Sequence, residues 1–320
     1  MPLSKLDKAS RIAILNCMGA RKKEKILIIT DALKREIGYS LFNNSIALGF
    51  NSLLVEMKPL TTNGEEPSEE IARLMKNFDI VLCPTSKSLT HTKARREAAS
   101  KGARVATFPG ITEDVMIRGL NADYKRISRL SFKIKNILDK GSFVKITSPA
   151  GTDLSFSIKG RKAIASSGLF HKKGEGGNLP TGETFLAPVE GSANGTLIID
   201  GSIAGFGIIE NVNLKVTVTD GFASKITGGK LAKQVSAMLD NFGKYGRNIA
   251  EFGIGTNHKA KLSGVLLEDE KVLGTIHIAF GNNITMGGSV NVPIHIDGVV
   301  KKPTVLLDGK LIMINGKLLI

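Results

Sequence analysis

The sequence predicts two domains: a parallel α/β domain over residues 1–145 and an α+β domain with a curved or barrel-like antiparallel sheet over residues 146–320. Three observations predict this fold class. A chain of 320 residues is enough for about two domains. Glycine is unevenly distributed, with 8 residues in the first half and 27 of the 35 in the second. Short apolar runs alternate with segments of helical period in the first half, whereas turn signals separate the apolar runs of the second half.

Strands and helices alternate along the first half. The predicted strands are residues 25–30, 52–56, 79–83 and 103–108, and the predicted helices are residues 33–46, 71–74, 94–100 and 123–140. Short apolar runs separated by helices are typical of a parallel sheet covered on both faces. No G-x-G-x-x-G motif follows the first strand, so the dinucleotide-binding fingerprint is missing. We expect this domain to be a scaffold or a substrate-gating domain.

Strands and tight turns dominate the second half. The apolar runs at residues 196–200, 214–219 and 274–279 are predicted strands, and residues 230–242 are predicted to form a helix. The predicted turns are Asp220-Gly221, Asp297-Gly298, Asp308-Gly309 and Asn315-Gly316. This pattern favours an antiparallel sheet over further βαβ units.

Composition excludes several classes of protein. Hydrophobic residues make up 42% and charged residues 23% of the chain, as in ordinary globular proteins. No apolar run approaches the roughly 18 residues that span a bilayer, and we find no signal peptide. The two cysteines, Cys17 and Cys83, exclude a disulfide scaffold and a thiolate zinc site. We expect both to be reduced core residues of a cytoplasmic protein that does not bind membranes.

The formal net charge of +15 is concentrated in the first half, which carries +11 of it. Only Arg21-Lys22-Lys23 forms a run of three basic residues, and few aromatic side chains lie among the basic ones. We interpret the charge as a solvated basic face, and nucleic-acid binding is a minor alternative.

The segment His295-Ile296-Asp297 is the sharpest chemical signal. In a strand, residues i and i+2 point to the same face, so His295 and Asp297 would present an imidazole and a carboxylate side by side. His277 lies in a second strand, between Ile276 and Ile278. Pairing of the two strands would bring His277 near His295.

Three glutamates accompany these histidines. Glu183 and Glu251 lie within apolar segments, where a buried carboxylate must be paired or bound to a metal because burying it alone costs several kcal/mol. Glu270 follows two other acidic residues just before the His277 strand and could project toward the same site, although a solvated acidic turn is an alternative.

The candidate ligands Glu183, Glu251, His277, His295 and Asp297 offer three carboxylates and two imidazoles. Such oxygen and nitrogen ligands suit zinc, cobalt or manganese, and there are enough of them for two ions bridged by water. The same set could hold one Fe(II) ion through two histidines and one carboxylate. Residue types alone do not distinguish these centres.

Four segments in this half form a series. They are Asn178–Pro188 (NLPTGETFLAP), Asn248–Asn257 (NIAEFGIGTN), Lys271–Gly281 (KVLGTIHIAFG) and His295–Asp297 (HID). In order and approximate spacing, the series resembles the motifs of the thermophilic metallo-aminopeptidase family, the leucyl aminopeptidase-like enzymes of the aminopeptidase T and S type, in a short form.

This resemblance implies a hydrolase that removes the N-terminal residue of short peptides with water activated by two divalent metal ions. Its metal ligands would be Glu183, Glu251, His277, His295 and Asp297, and Glu270 is the best match for a catalytic glutamate. The resemblance also implies a homodimer with an enclosed active site.

Two other functions stay open. The ring-cleaving dihydroxypyridine dioxygenases are similar in fold to these peptidases and use an H-x-D pair for iron, so a non-haem Fe(II) dioxygenase is the alternative enzyme. The third hypothesis is a non-catalytic protein that binds metal or nucleic acid. Metal content and activity separate the three. The peptidase would hold two ions and hydrolyse peptides, and the dioxygenase would hold one iron ion and consume oxygen. A protein that binds no divalent ion tightly and shows no hydrolysis would fit neither enzyme.

Overall fold

A computed structural model describes residues 2–210 and 212–320. The chain forms two compact units, one built from the residues up to Ser128 with Ser167–Thr181, the other from Arg129–Ser166 with Gly182–Ile320. The two units therefore alternate along the chain. The sequence predicts a single boundary between two domains, after residue 145, and this boundary stays a prediction.

Most helices of the described residues lie in the first unit. The helices are Lys5–Arg11, Arg35–Ala47, Glu69–Met75, Lys93–Ser100, Glu113–Leu120, Tyr124–Leu138, Gly229–Asp240, Gly243–Gly246 and Leu266–Asp269. A π-helical turn, Ile12–Cys17, follows the first helix, and 3₁₀ turns cover Ala32–Lys34 and Ile284–Met286. Side-chain hydroxyls of Ser68, Thr92 and Thr112 accept backbone N–H groups and so define where three of the helices begin.

The first unit contains a five-stranded parallel sheet. In spatial order its strands are Asn51–Met57, Lys25–Asp31, Ile80–Cys83, Arg104–Thr107 and Gly176–Asn178. The three central strands are almost fully buried, as continuous apolar runs require in a sheet covered on both faces. The predicted parallel α/β fold of this part of the chain is confirmed.

The second unit contains two antiparallel sheets. In spatial order the eight-stranded sheet consists of Phe222–Thr227, Leu214–Thr219, Asn194–Ile199, Asp153–Ser157, Phe143–Thr147, Thr304–Leu307, Lys310–Ile314 and Lys317–Leu318. The seven-stranded sheet consists of Gly207–Ile208, Ser202–Ile203, His295–Lys301, Thr275–Gly281, Ile249–Gly255, Glu183–Leu186 and Ile164–Ser166. The predicted α+β fold with an antiparallel sheet is confirmed.

One hydrophobic core joins the two sheets of the second unit. Phe156 of the larger sheet meets Phe252 of the smaller one edge to face, with 5.4 Å between ring centroids. The helix Gly229–Asp240 adds Val235 and Leu239 to the same core. One face of the smaller sheet therefore packs in the hydrophobic core, and polar side chains can project from its other face.

The predicted turn at Asp297-Gly298 is wrong, since both residues lie inside the strand His295–Lys301. Gly298 is needed there for close packing, because a Cβ at this position would lie 2.3 Å from Cδ1 of Ile199. At the other three predicted turns the first residue has a positive φ: 49° at Asp220, 49° at Asp308 and 46° at Asn315. A following glycine with positive φ completes each turn, as in type I′ hairpins.

The C-terminal hairpin, formed by the strands Lys310–Ile314 and Lys317–Leu318, carries exposed apolar side chains. Leu311, Ile314 and Leu319 are exposed on it, and the homodimer that the resemblance implies stays a prediction.

Both cysteines are buried and unoxidised. Among the described residues, no helix is both long and apolar enough to cross a membrane.

Candidate metal centre

The candidate ligands lie on neighbouring strands of the seven-stranded sheet. The strands that carry them are Glu183–Leu186, Ile249–Gly255, Thr275–Gly281 and His295–Lys301, paired antiparallel in that order. Ala279 of the middle strand lies opposite both Glu251 and Asp297. His277 and His295 lie two residues away from Ala279 and Asp297 along their own strands. Because alternate residues share a face, Glu251, His277, His295 and Asp297 project from one face of the sheet.

A β-bulge brings Glu251 to this face. Ile249 is opposite Phe280, whereas Glu251 is opposite Ala279, so the strand gains one residue at Ala250. Ile249 and Phe252 both enter the hydrophobic core although they are an odd number of residues apart. In a regular strand of the same sequence, Glu251 would share a face with Ile249, and its carboxylate would point into the apolar core.

Two glycines near the site leave room for close neighbours, an imidazole in one case and a backbone carbonyl in the other. Gly253 lies opposite His277, and a Cβ at residue 253 would lie 2.0 Å from the His277 Nε2. Gly255 lies opposite Glu183, and its Cβ would lie 2.1 Å from the carbonyl oxygen of Val272. The alternation of Gly253 and Gly255 with apolar residues therefore has a steric purpose at the site.

Glu251 bridges the two histidines. Its Oε1 lies 3.1 Å from Nε2 of His277, and its Oε2 lies 3.2 Å from Nε2 of His295. His277 is fully buried and Glu251 is 7% exposed, whereas the side chain of His295 is 31% exposed. The cluster is therefore open to solvent on the His295 side and enclosed on the His277 side.

The ring of His295 is oriented by the backbone. Its Nδ1 donates a hydrogen bond to the carbonyl oxygen of Asn282 at 2.8 Å. When the ring is neutral, this bond leaves the lone pair on Nε2, which lies 3.4 Å from the Asp297 carboxylate. Ligating histidines in metal sites are commonly oriented by such a bond from the other ring nitrogen.

The ligand atoms form two overlapping groups, each within 4.8 Å. One group is Glu183, Glu251 and His277; the other is Glu251, His295 and Asp297. Glu251 belongs to both. The Oε2 of Glu183 is buried without a hydrogen-bond partner among the described residues and lies 3.5 Å from Nε2 of His277. Each group could hold a divalent cation.

Lys271 is a site residue that the sequence analysis did not single out. Its ammonium group is 2.9 Å from Oε1 of Glu183 and also donates to Glu270. The residue is only 1% exposed. A lysine after three acidic residues is typical of a solvated turn, so the sequence held no signal for its burial. Glu270, the predicted catalytic residue, is linked to the cluster by the hydrogen bond that it accepts from Lys271.

Burial and mutual pairing shift the pKa values of the cluster. Burial lowers the pKa of His277, but the carboxylates of Glu251 and Glu183 outweigh this effect and raise it to about 9. The pKa of His295 is raised well above its usual value because Asp297 and Glu251 outweigh burial in the same way. Burial raises the pKa of Glu270 to about 8, in spite of Lys271. The metal-free cluster is thus held together by imidazolium–carboxylate pairs, whose place a divalent cation could take.

The six residues proposed from the sequence, Glu183, Glu251, Glu270, His277, His295 and Asp297, therefore meet in one cluster. Buried carboxylates and imidazoles on a rigid sheet are typical of the metal site of an enzyme. A model of the 2,5-dihydroxypyridine 5,6-dioxygenase (NicX) family matches residues 1–320, and the chain belongs to this family. Membership implies a metal in the protein.

Known proteins are similar over nearly the whole chain. The 2,5-dihydroxypyridine 5,6-dioxygenase of Pseudomonas putida is 22% identical over 338 residues, covering 99% of this chain and 93% of that protein. The solved structure of the 2,5-dihydroxypyridine dioxygenase from Pseudomonas putida has a TM-score of 0.84 at 18% identity, covering 99% of this chain and 98% of that one. Aminopeptidase T (AmpT) from Thermus thermophilus has a TM-score of 0.70 at 15% identity, with 99% of each chain covered.

The predicted aminopeptidase function is wrong, and so is the classification as a hydrolase and metalloprotease. The matching family and the relative from Pseudomonas putida are dioxygenases, and dioxygenases are oxidoreductases. The likeness to aminopeptidase T is one of fold. The motifs that suggested a peptidase, Asn178–Pro188 to His295–Asp297, contain the sheet glycines and the carboxylate–imidazole cluster. Such features fix a fold and a metal site, and different chemistries can share both.

Proposed function

We propose that this protein is a metal-dependent dioxygenase that opens the ring of a dihydroxylated pyridine or a related dihydroxylated aromatic compound. The observation that carries the proposal is the match of the dioxygenase family over residues 1–320. The buried carboxylate–imidazole cluster supports it independently, because ring opening by molecular oxygen ordinarily requires a metal.

The donor set fits an iron(II) ion. Glu251, His295 and Asp297 offer two carboxylates and one imidazole within 4.8 Å of one another. Nitrogen and oxygen ligands of this kind bind iron(II), although the commonest triad of non-haem oxygenases has two histidines and one carboxylate. The second imidazole, His277, adjoins the group through Glu251.

When bound, iron(II) supplies the one-electron chemistry that lets molecular oxygen react with an electron-rich ring. The chain's own residues orient the ligands. The Asn282 carbonyl fixes the ring of His295, and the bulge before Glu251 holds that carboxylate on the site face. The partial exposure of His295 favours substrate approach from its side of the cluster.

Glu270 is the residue we assign to proton transfer. Its side chain is 15% exposed, and one oxygen accepts a hydrogen bond from Lys271. Burial raises the pKa of Glu270 to about 8, so the carboxyl group can exchange a proton near neutral pH. In this role Glu270 takes the proton that a ring hydroxyl loses and returns it to the opened product.

The test combines metal content with oxygen consumption. The full-length protein is stripped with a chelator, loaded anaerobically with Fe(II), and mixed with 2,5-dihydroxypyridine and a small set of other ring diols. We expect consumption of one molecule of oxygen per ring opened, with loss of the ring's ultraviolet absorbance. Absence of oxygen uptake with every diol in protein that holds iron would overturn the proposal.

Two histidine variants make the test specific to the site. His295→Ala removes an oriented imidazole of the cluster, and we expect lower iron content and lost oxygen uptake. His171→Ala is the matched control, since this exposed histidine lies in the first unit and bonds to the Asn16 carbonyl. Equal iron content and activity in both variants would exclude His295 from the site.

A further inference from the structure

Lys271 has an unusual position for a lysine. Its side chain is 2% exposed, and its ammonium group pairs with the carboxylates of both Glu183 and Glu270. Buried ammonium groups are costly unless they are paired and hydrogen-bonded. Lys271 meets this condition with two carboxylates, and one of them, Glu183, belongs to the first of the two ligand groups.

The ammonium group competes with a cation for that first group. It lies 2.9 Å from Oε1 of Glu183. The oxygen left to a metal ion is Oε2, which faces His277. An ion bound there, about 2.0–2.2 Å from Oε2, would share the Glu183 carboxylate with the ammonium group, and the two positive charges would repel each other. The other group, of Glu251, His295 and Asp297, contains no residue that pairs with Lys271.

We propose that Lys271 is a built-in cation that takes the place of a second metal ion, so that the centre binds one ion, at Glu251, His295 and Asp297. The proposal rests on the metal-binding part of the proposed function and not on ring cleavage. Two-metal hydrolytic sites hold ions about 3.5–4 Å apart that share ligands. Here Glu251 is shared by the two groups, and the lysine neutralises the group that would hold the second ion.

The expected result for the native protein is a binding stoichiometry of one. Chelator-stripped full-length protein is titrated with Mn²⁺, which is stable in air, and binding is followed by calorimetry and by metal analysis after desalting. We expect one equivalent of Mn²⁺. Two equivalents in the native protein would overturn the proposal without recourse to any variant.

A variant then tests Lys271 itself. Lys271→Met removes the charge and keeps most of the side-chain length, so Glu183 and Glu270 become available to a cation. We expect this variant to bind a second equivalent of Mn²⁺, and we expect Lys271→Met with Glu183→Gln to return to one. A folded Lys271→Met protein that still binds a single equivalent would overturn the proposal.

Two further variants complete the design. Lys225→Met is the matched control, because Lys225 is exposed on a strand of the larger sheet, and it should bind one equivalent. Lys271→Arg keeps the positive charge and should also bind one; a second equivalent in this variant would contradict the charge argument. Native protein that binds one ion but opens no ring would refute the proposed function and leave this inference intact.

Discussion

Gly253 and His277 lie opposite each other on paired antiparallel strands, and a Cβ on residue 253 would lie 2.0 Å from the His277 Nε2. The imidazole therefore occupies the space that any larger residue at position 253 would need. Gly253→Ala should push His277 away from Glu251. We expect metal affinity to fall at least tenfold, together with a loss of about 1–3 kcal/mol in the free energy of unfolding.

Gly298→Ala separates these two effects. Its Cβ would lie 2.3 Å from Cδ1 of Ile199, a core residue on a strand of the eight-stranded sheet. We expect a similar loss of stability with metal affinity retained. Calorimetric titration and denaturant unfolding of both variants are the measurements, and a Gly253→Ala protein with native metal affinity would contradict the steric argument.

Glu251 should be the most sensitive carboxylate of the centre, because it bridges His277 and His295 and belongs to both ligand groups. Glu251→Gln keeps the size of the side chain and removes its charge. Loss of an outer-shell partner costs about 10–100-fold in metal affinity, and we expect the loss here to be no smaller. Glu190→Gln is the control: Glu190 pairs with Arg161 and Asn283 outside the cluster, and the metal affinity should not change.

The stability of the metal-free protein should fall at alkaline pH. Carboxylates raise the folded-state pKa of His277 to about 9, above the unfolded value near 6.5. The stabilisation from its protonated form is therefore complete below about pH 6.5 and is lost as the pH rises through about 9. We expect the melting temperature in chelator to drop by several degrees between pH 7 and 9.5. A drop of the same size in His277→Gln would assign it to other groups.

Both thiols should resist alkylation in the native state. Burial raises the pKa of Cys83 to about 12 and raises that of Cys17 even further, so almost no thiolate is present near neutral pH. We expect no incorporation of iodoacetamide at pH 8 over an hour, and two equivalents after denaturation. Mass spectrometry of the intact protein provides the measurement, and rapid labelling of either cysteine would show that its surroundings open readily.

Much of the site could be predicted from local periodicity. The i, i+2 relation places His295 and Asp297 on one face, and the Ile residues on either side of His277 indicate a strand with a polar face. Both inferences need only the geometry of a single strand. The bulge at Ala250 could not be predicted, because its cause is the pairing of that strand with a partner distant in sequence.

The remaining differences between sequence and structure arose where a short sequence pattern is compatible with more than one structural role. Asp297-Gly298 is typical of a hairpin turn, but its glycine serves close packing against Ile199. Lys271 is typical of a solvated turn, yet it is buried between two carboxylates. Sequence motifs could not decide between a peptidase and a dioxygenase, because the ligand types are compatible with both chemistries.

The edge strand Gly176–Asn178 pairs with Arg104–Thr107 although about seventy residues separate them in the chain. During synthesis, the parallel sheet therefore cannot be completed until residue 178 has left the ribosome. Until then, the backbone of Arg104–Thr107 presents unpaired N–H and C=O groups that can bind another nascent chain. The order in which the ribosome releases this protein thus sets a period of exposure to misassembly, and any fragment that ends before residue 176 retains that exposure permanently.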